Sequence, residues 1–306
     1  MTNMKRLSES LAVSGAWKGH FEANLATAEQ LSWHDSYVLA PTERVAIEKS
    51  VQQFQLGEGA QGRRLMARAR EFAKTSGDAL FAEALALFIR EEQRHSGQLL
   101  RFMRAQGIAP VEKHWVDSVF RRLRVLAGLE LELRVLVTAE VIAVPYYRAL
   151  GRATRSNLLR SISERILCEE AEHLRFQASM LSRIEADRVP FIRALAWAAH
   201  RWFLIGTCCV VWVEHRSVFS AAGRSFSDLL AHALSQFSGL KRAAHCVECP
   251  MPANHTWQSP RSRVSEPGLA SILPPQSVAR TAPSAAVAMR AVILPSGPRV
   301  RPRTAR

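Results

Sequence analysis

Two copies of Glu-Glu-x-x-His carry the chemistry of this chain: Glu91-Glu92-Gln93-Arg94-His95 and Glu169-Glu170-Ala171-Glu172-His173. In each copy a Glu and the His stand at i and i+3, so on a helix both side chains leave one face. Carboxylate oxygens and imidazole nitrogens together suit iron or manganese. One such pair is a weak signal, because most are solvated. Two copies, with Glu92 and Glu170 set 78 residues apart, ask for a shared site.

The elements that would position them follow from periodicity and caps. Pro41-Thr42-Glu43 starts a first long helix, expected over Thr42–Thr75 and stopped by Gly77. Asp78 caps a second helix that runs to about Gln106. A connector with Pro110 and a short amphipathic piece around Trp115–Leu126 leads to a third helix over about Leu129–Thr154. Ser156 or Asn157 caps a fourth that runs to about Asp187. An apolar segment spans Phe191 to about Phe219, and a shorter helix is expected near Phe226–Phe237. The fold class is therefore all-α: an N-terminal arm (1–41), a four-helix bundle (42–187), apolar C-terminal helices packing on it (188–240), and a tail (241–306). Ten of the fourteen prolines lie in that tail, which holds ten Lys/Arg against two acids. It cannot bury enough apolar surface to offset its ordering entropy, so it reads as disordered.

The doubled motif resembles the ferritin-like superfamily of di-iron carboxylate proteins, over roughly residues 42–187, in an uncharacterised bacterial branch. The resemblance implies a ligand set of two Glu-x-x-His pairs and one Glu from each of two other helices. Glu58, Glu92, His95, Glu140, Glu170 and His173 would hold two Fe ions, with Glu92 or Glu140 and Glu170 as bridges. Mn/Fe and di-manganese centres use the same donors. Counting tests the heights. Glu58 lies 19 residues before Gly77; Glu92 and His95 lie 15 and 18 after it. At about 1.5 Å per residue all three stand roughly 22–29 Å from the turn. Around Ser156, Glu140 lies 16 before, and Glu170 and His173 lie 14 and 17 after. Glu130 and Glu132 are 26 and 24 before it, off that level. Glu91, Glu169 and Glu172 are expected as supporting or surface acids, and Arg94 and Arg175 as surface residues. Gly57, Gly59 and Gly62 around Glu58 point either to a helix irregularity or to close packing.

Departures narrow the likeness. Ferritins and bacterioferritins carry Tyr where this chain has Leu65. The radical-bearing subunit of class I ribonucleotide reductase carries Tyr where it has Leu99. Bacterial multicomponent monooxygenases carry Thr at the position of Val144, acyl-carrier-protein desaturases at that of Ala143, and arylamine oxygenases an additional His at that of Ile166. Tyr147, seven residues after Glu140, resembles the arrangement in demethoxyubiquinone hydroxylases and offers a phenol close to the ligands.

Composition bounds the rest. The net charge of +14 is concentrated in the tail, so specific nucleic-acid binding is not expected. Five cysteines in 306 residues make no disulfide framework. His245-Cys246-x-x-Cys249 with His255 is a weak zinc pattern. No secretory leader is apparent, so a cytoplasmic location is expected. Trp202–Val213 is uncharged but too short to span a bilayer, and membrane association is not expected. The first functional expectation is an O₂-activating oxidase or oxygenase that takes a small organic substrate and draws on an electron-donor protein, in a chain that could pair as a homodimer. The second is a ferroxidase or an iron storage or detoxification protein. The third is a non-catalytic, metal-stabilised interaction protein.

Overall fold

The computed structural model describes residues 2–26, 31–60, 62–115 and 128–245, and the regular structure among them is entirely helical. In chain order the helices are α1 (Thr2–Ala26), α2 (Pro41–Glu58), α3 (Arg63–Ser76), α4 (Ala79–Ala105), α5 (Leu129–Ala153), α6 (Asn157–Ile184), α7 (Pro190–Ala221) and α8 (Phe226–His245). Their boundaries have local causes. Pro41 occupies the first turn of α2, where its missing N–H costs nothing. Asp78 accepts from the Phe81 N–H at the head of α4, and Ser156 accepts from the Leu159 N–H at the head of α6. Gly77, at φ +77°, ends α3.

The expected helix over Thr42–Thr75 is instead two helices, broken directly after Glu58. Gly62 sits at φ +56°, and a Cβ there would lie 2.6 Å from Ile89 Cδ1. Only glycine fits both the backbone and the space. The glycines around Glu58 therefore include a true turn.

Residues 1–41, expected as a weakly patterned arm, hold the 25-residue helix α1 packed on α4. Trp17 and Phe21 are buried. The inward stripe runs Ser10, Ser14, Trp17, Phe21, so half of it is polar and hides from a hydropathy reading. Those serines are spoken for: Ser10 and Ser14 donate to Asp78 Oδ2 at 3.0 and 2.8 Å. Arg183 from α6 binds the same carboxylate oxygen, so one buried acid ties α1, α4 and α6. Asp78→Ala removes a helix cap, about 1 kcal/mol, and leaves Arg183 without its carboxylate, about 3–5 kcal/mol for a buried pair. Arg183 keeps some exposure, so a total loss of about 3 kcal/mol is expected in urea unfolding. A loss below about 0.5 kcal/mol would remove the tie from the account.

The core is built by α5 packed along α6, α1 and α2 against α4, and α7 and α8 against α5 and α6. α8 extends eight residues past the expected Phe237. Leu229, Ala233, Phe237, Leu240 and Ala244 continue one buried stripe, which draws residues 241–245 out of the predicted tail. Residues 246–306, with Cys246, Cys249 and His255, and the connector residues 116–127 lie outside the described residues. α7 is 32 residues long and apolar enough to cross a membrane by length and composition; 33% of its most apolar window is buried against the other helices. Phe191, Leu195, Trp202 and Val213 on it are exposed.

Candidate metal centre

Four helices bring the six predicted side chains together. Glu58 is the last residue of α2, Glu92 and His95 lie on α4, Glu140 on α5, and Glu170 and His173 on α6. One ligand atom from each of Glu58, Glu92, His95 and Glu170 lies within 4.8 Å of the others, and the same holds for Glu92, Glu140, Glu170 and His173. The two groups share Glu92 and Glu170. Glu140 belongs to one group only. Glu130 and Glu132 stand elsewhere, Glu130 on Arg134 and Arg188, and Glu132 opposite Arg68 at 3.7 Å.

Local packing sets each position. Glu58 is placed by the close approach of α2 to α4, where Ser96 Oγ donates to the Gln55 carbonyl at 2.8 Å. A Cβ on Gly59 would meet that Ser96 oxygen at 3.1 Å, so a glycine after Glu58 keeps the helices near. Tyr147 donates to Glu58 Oε1 at 2.6 Å, and Gln177 Nε2 donates to Glu140 Oε1 at 2.9 Å. Phe88 and Phe21 stand against the His173 ring, at centroid distances of 4.7 and 6.1 Å. His95, His173 and Glu170 are fully buried.

The histidines show which atoms face inward. His95 Nε2 is 2.5 Å from Glu169 Oε2, and His173 Nε2 is 3.0 Å from Glu91 Oε2. The bonds cross: each motif's first Glu holds the other motif's His. This fixes Nε2 as the protonated nitrogen and leaves both Nδ1 lone pairs aimed into the cluster. Both Nδ1 atoms, Glu92 Oε1 and both Glu170 oxygens are buried facing one another, His173 Nδ1 2.9 Å from Glu92 Oε1, without a well-aligned hydrogen bond among them. Such orphaned acceptors are costly in a protein interior unless a cation serves them.

Arg94, expected at the surface, is 14% exposed and lies between the two outer acids, 2.7 Å from Glu169 and 3.3 Å from Glu91. Arg165 adds a second contact to Glu169 at 3.1 Å. Nothing in the local sequence distinguishes Arg94 from a solvated arginine; its main partner is on another helix. Glu172 pairs with the exposed Arg175. Gln177 extends the His173 stripe by one turn, which was the available signal for its contact with Glu140.

The charges divide into an inner and an outer set. Burial, then the negative charges of Glu140 and Glu58, pushes Glu92 well above the ordinary carboxylate range. Burial and the charges of Glu140 and Glu92 do the same to Glu170. For Glu91, burial pushes upward, but the His173 hydrogen bond and charge and the nearby Arg94 outweigh it and hold the acid low. Glu169 is held low against burial by His95 and Arg94. Burial disfavours charge on His173, yet Glu92, Glu170 and Glu91 around it raise its proton affinity. The inner groups thus bind protons tightly, and one or more metal ions would take the place of those protons.

No protein-family model matches the chain, and neither the curated proteins nor the solved structures include one similar to it. The buried Glu/His cluster, within reach of a metal ion, is what its own geometry shows.

Proposed function

We propose that α2, α4, α5 and α6 form a ferritin-like four-helix bundle holding a di-iron carboxylate centre, and that the protein is an oxidase or oxygenase. The observation that carries this reading is the pair of overlapping ligand groups sharing Glu92 and Glu170, with both His Nδ1 atoms directed inward. Four carboxylates and two neutral imidazoles balance two divalent cations in charge. Glu92 and Glu170, common to both groups, would be shared by the two ions, while Glu58 with His95 and Glu140 with His173 would each serve one of them. Bound ferrous ions would supply the electrons that reduce O₂ for attack on a small organic substrate, with an electron-donor protein restoring them.

The chain's own residues set the conditions. Phe21, Phe88 and Phe176 form an aromatic wall beside His173 that keeps water away. Tyr147 holds a proton on its phenol oxygen at Glu58. Gln177 fixes one Glu140 oxygen and leaves the other free to move between donor modes. Glu91 and Glu169, with Arg94 and Arg165, hold the imidazoles in one tautomer.

Elemental analysis after anaerobic ferrous reconstitution should find two Fe per chain, and air should then develop the optical bands of an oxo-bridged di-ferric centre. Less than one ion per chain would refute the reading. Loading should also release protons, because Glu92, Glu170 and His173 hold them in the metal-free fold. Affinity should therefore rise with pH, and a pH-independent affinity would count against these ligands.

A further inference from the structure

A small hollow of about 140 Å³ opens between the end of α5, the turn from α7 to α8, and the start of α8. Its floor is apolar, formed by the buried Pro145, Ala149, Phe219 and Leu229. Its rim carries Arg148 and Arg152 of α5, one helical turn apart, and Arg224 of the turn. Segments far apart in sequence thus bring three guanidinium groups to one opening, with Asp228 and His232 of α8 beside them.

Two of the arginines are placed before any ligand arrives. Gly223, at φ +66°, follows the end of α7, and the Arg224 N–H donates to the Phe219 carbonyl at 2.8 Å, so the helix end sets the backbone of Arg224. Arg148 Nη1 donates to His232 Nε2 at 3.0 Å, which puts that ring's proton on Nδ1. The nearby acid is committed elsewhere: Asp228 Oδ2 accepts from the N–H and the hydroxyl of Ser225, at 2.8 and 2.9 Å, and caps α8. Among the described residues no carboxylate reaches ion-pair distance of any of the three arginines, and Asp228 acts on Arg224 only from further off.

Like charges gathered at one opening repel unless an anion meets them. Burial, then the charges of Arg148 and Arg224, hold His232 below its ordinary value, so the ring is neutral at pH 7 and feels the positive field. The dipole of α5 favours a cation in its last turn and accounts for Arg152 alone. Three guanidinium groups against one carboxylate leave two positive charges. A phosphate monoester carries about −1.5 to −2 at pH 7 and offers three acceptor oxygens. Planar arginine forks match such oxygens. A carboxylate, with one charge and two oxygens, would leave an arginine unmet.

We infer that this hollow is a binding site for a phosphate monoester, held by Arg148, Arg152 and Arg224. The ester belongs either to a soluble molecule or to a lipid headgroup, and the phosphoryl group is the part recognised in both. The buried apolar floor keeps water from beneath the anion and strengthens each contact. None of these residues is a donor in the proposed metal centre, so the site goes beyond that reading.

The test titrates full-length protein with inorganic phosphate by isothermal calorimetry at constant ionic strength. In parallel, the protein is sedimented with phosphatidylcholine vesicles with and without phosphatidic acid, whose headgroup is a monoester. A soluble ester predicts one saturable phosphate per chain and no sedimentation; a headgroup predicts sedimentation only with phosphatidic acid. Whichever probe binds, Arg152→Gln and Arg224→Gln should each weaken it about tenfold to a hundredfold, the cost of one charged hydrogen bond. Arg216→Gln, exposed on α7 outside the hollow, should bind as wild type does. Melting gives a second measure. Without phosphate, Arg224→Gln should be no less stable than wild type, because it relieves repulsion; with phosphate, wild type should melt higher. No binding to either probe, or equal binding in Arg224→Gln and wild type, overturns the site. Failure of iron loading would leave these results untouched, so the two readings fail separately.

Discussion

Glu92→Ala combined with His173→Ala should abolish two-iron loading and leave the helices in place. Glu92 belongs to both ligand groups, and His173 supplies the only imidazole of one of them. Removing both leaves one group with Glu58, His95 and Glu170, and the other with two carboxylates. The second cannot hold a divalent ion, and the first offers three donors to at most one, bound far more weakly without the shared Glu92. The same substitutions separate metal binding from folding, because their sign on stability depends on the metal. With free metal a thousandfold above its dissociation constant, the wild type gains about 4 kcal/mol that the variant cannot gain. Without metal the wild type has no such advantage, since Glu92 is buried among other carboxylates at a cost. Two melting curves for each protein, with metal and with chelator, measure both. Equal iron content in variant and wild type would sink the ligand assignment.

The pH dependence of the metal-free protein follows from the same groups. Glu92, Glu170 and His173 all have raised folded-state values, so each adds stability below its unfolded value and loses it as pH rises toward the folded one. Glu91 and Glu169 are lowered and act the other way, losing their contribution only as pH falls below the ordinary Glu value of 4.5. Above the ordinary Glu value the first set governs, and metal-free wild type should lose stability as pH rises. The double variant, lacking two of the three groups, should lose less.

The buried Glu/His cluster could be read from sequence because helix geometry converts spacing into height and face. Glu-x-x-His fixes the face, and the turns at Gly77 and Ser156 fix the level. The heights held although one premise did not, since α2 ends at Glu58 rather than continuing to the Gly77 turn. Glu58 reaches its place through the contact of Gln55 and Gly59 with Ser96, a tertiary fact. α1, where the sequence suggests no more than a short helix, is longer than expected for a related reason. Its inward serines are satisfied by an Asp78 that is distant in sequence, so its stripe is not hydrophobic. The cross-pairing of Glu91 with His173 and of Glu169 with His95 was equally hidden. On its own helix each first Glu meets an arginine, Glu91 with Arg94 and Glu169 with Arg165, and only the approach of α4 to α6 supplies the histidine.

That cross-pairing sets the other large effect. Glu169→Gln should weaken metal binding by about tenfold to a hundredfold in chelator competition, the usual cost of losing the group behind a ligating histidine. Glutamine can still accept the Nε2–H of His95, so the ring stays in place. What is lost is the negative charge, which makes Nδ1 a stronger donor to the metal. Glu169 also neutralises Arg94 and Arg165, and without it two buried cations face the site across a neutral amide. Glu91→Gln should act in the same direction through His173, and less strongly, because its only other ionic partner among the described residues is Arg94 at 3.3 Å. Glu172→Gln, three residues along the same helix, is the control: its partner Arg175 is 55% exposed, and binding should not change. Wild-type affinity in Glu169→Gln would mean that the crossed hydrogen bonds orient the rings without tuning them. A loss in Glu172→Gln as large as in Glu169→Gln would mean that overall negative charge, and not the bond to His95, governs affinity.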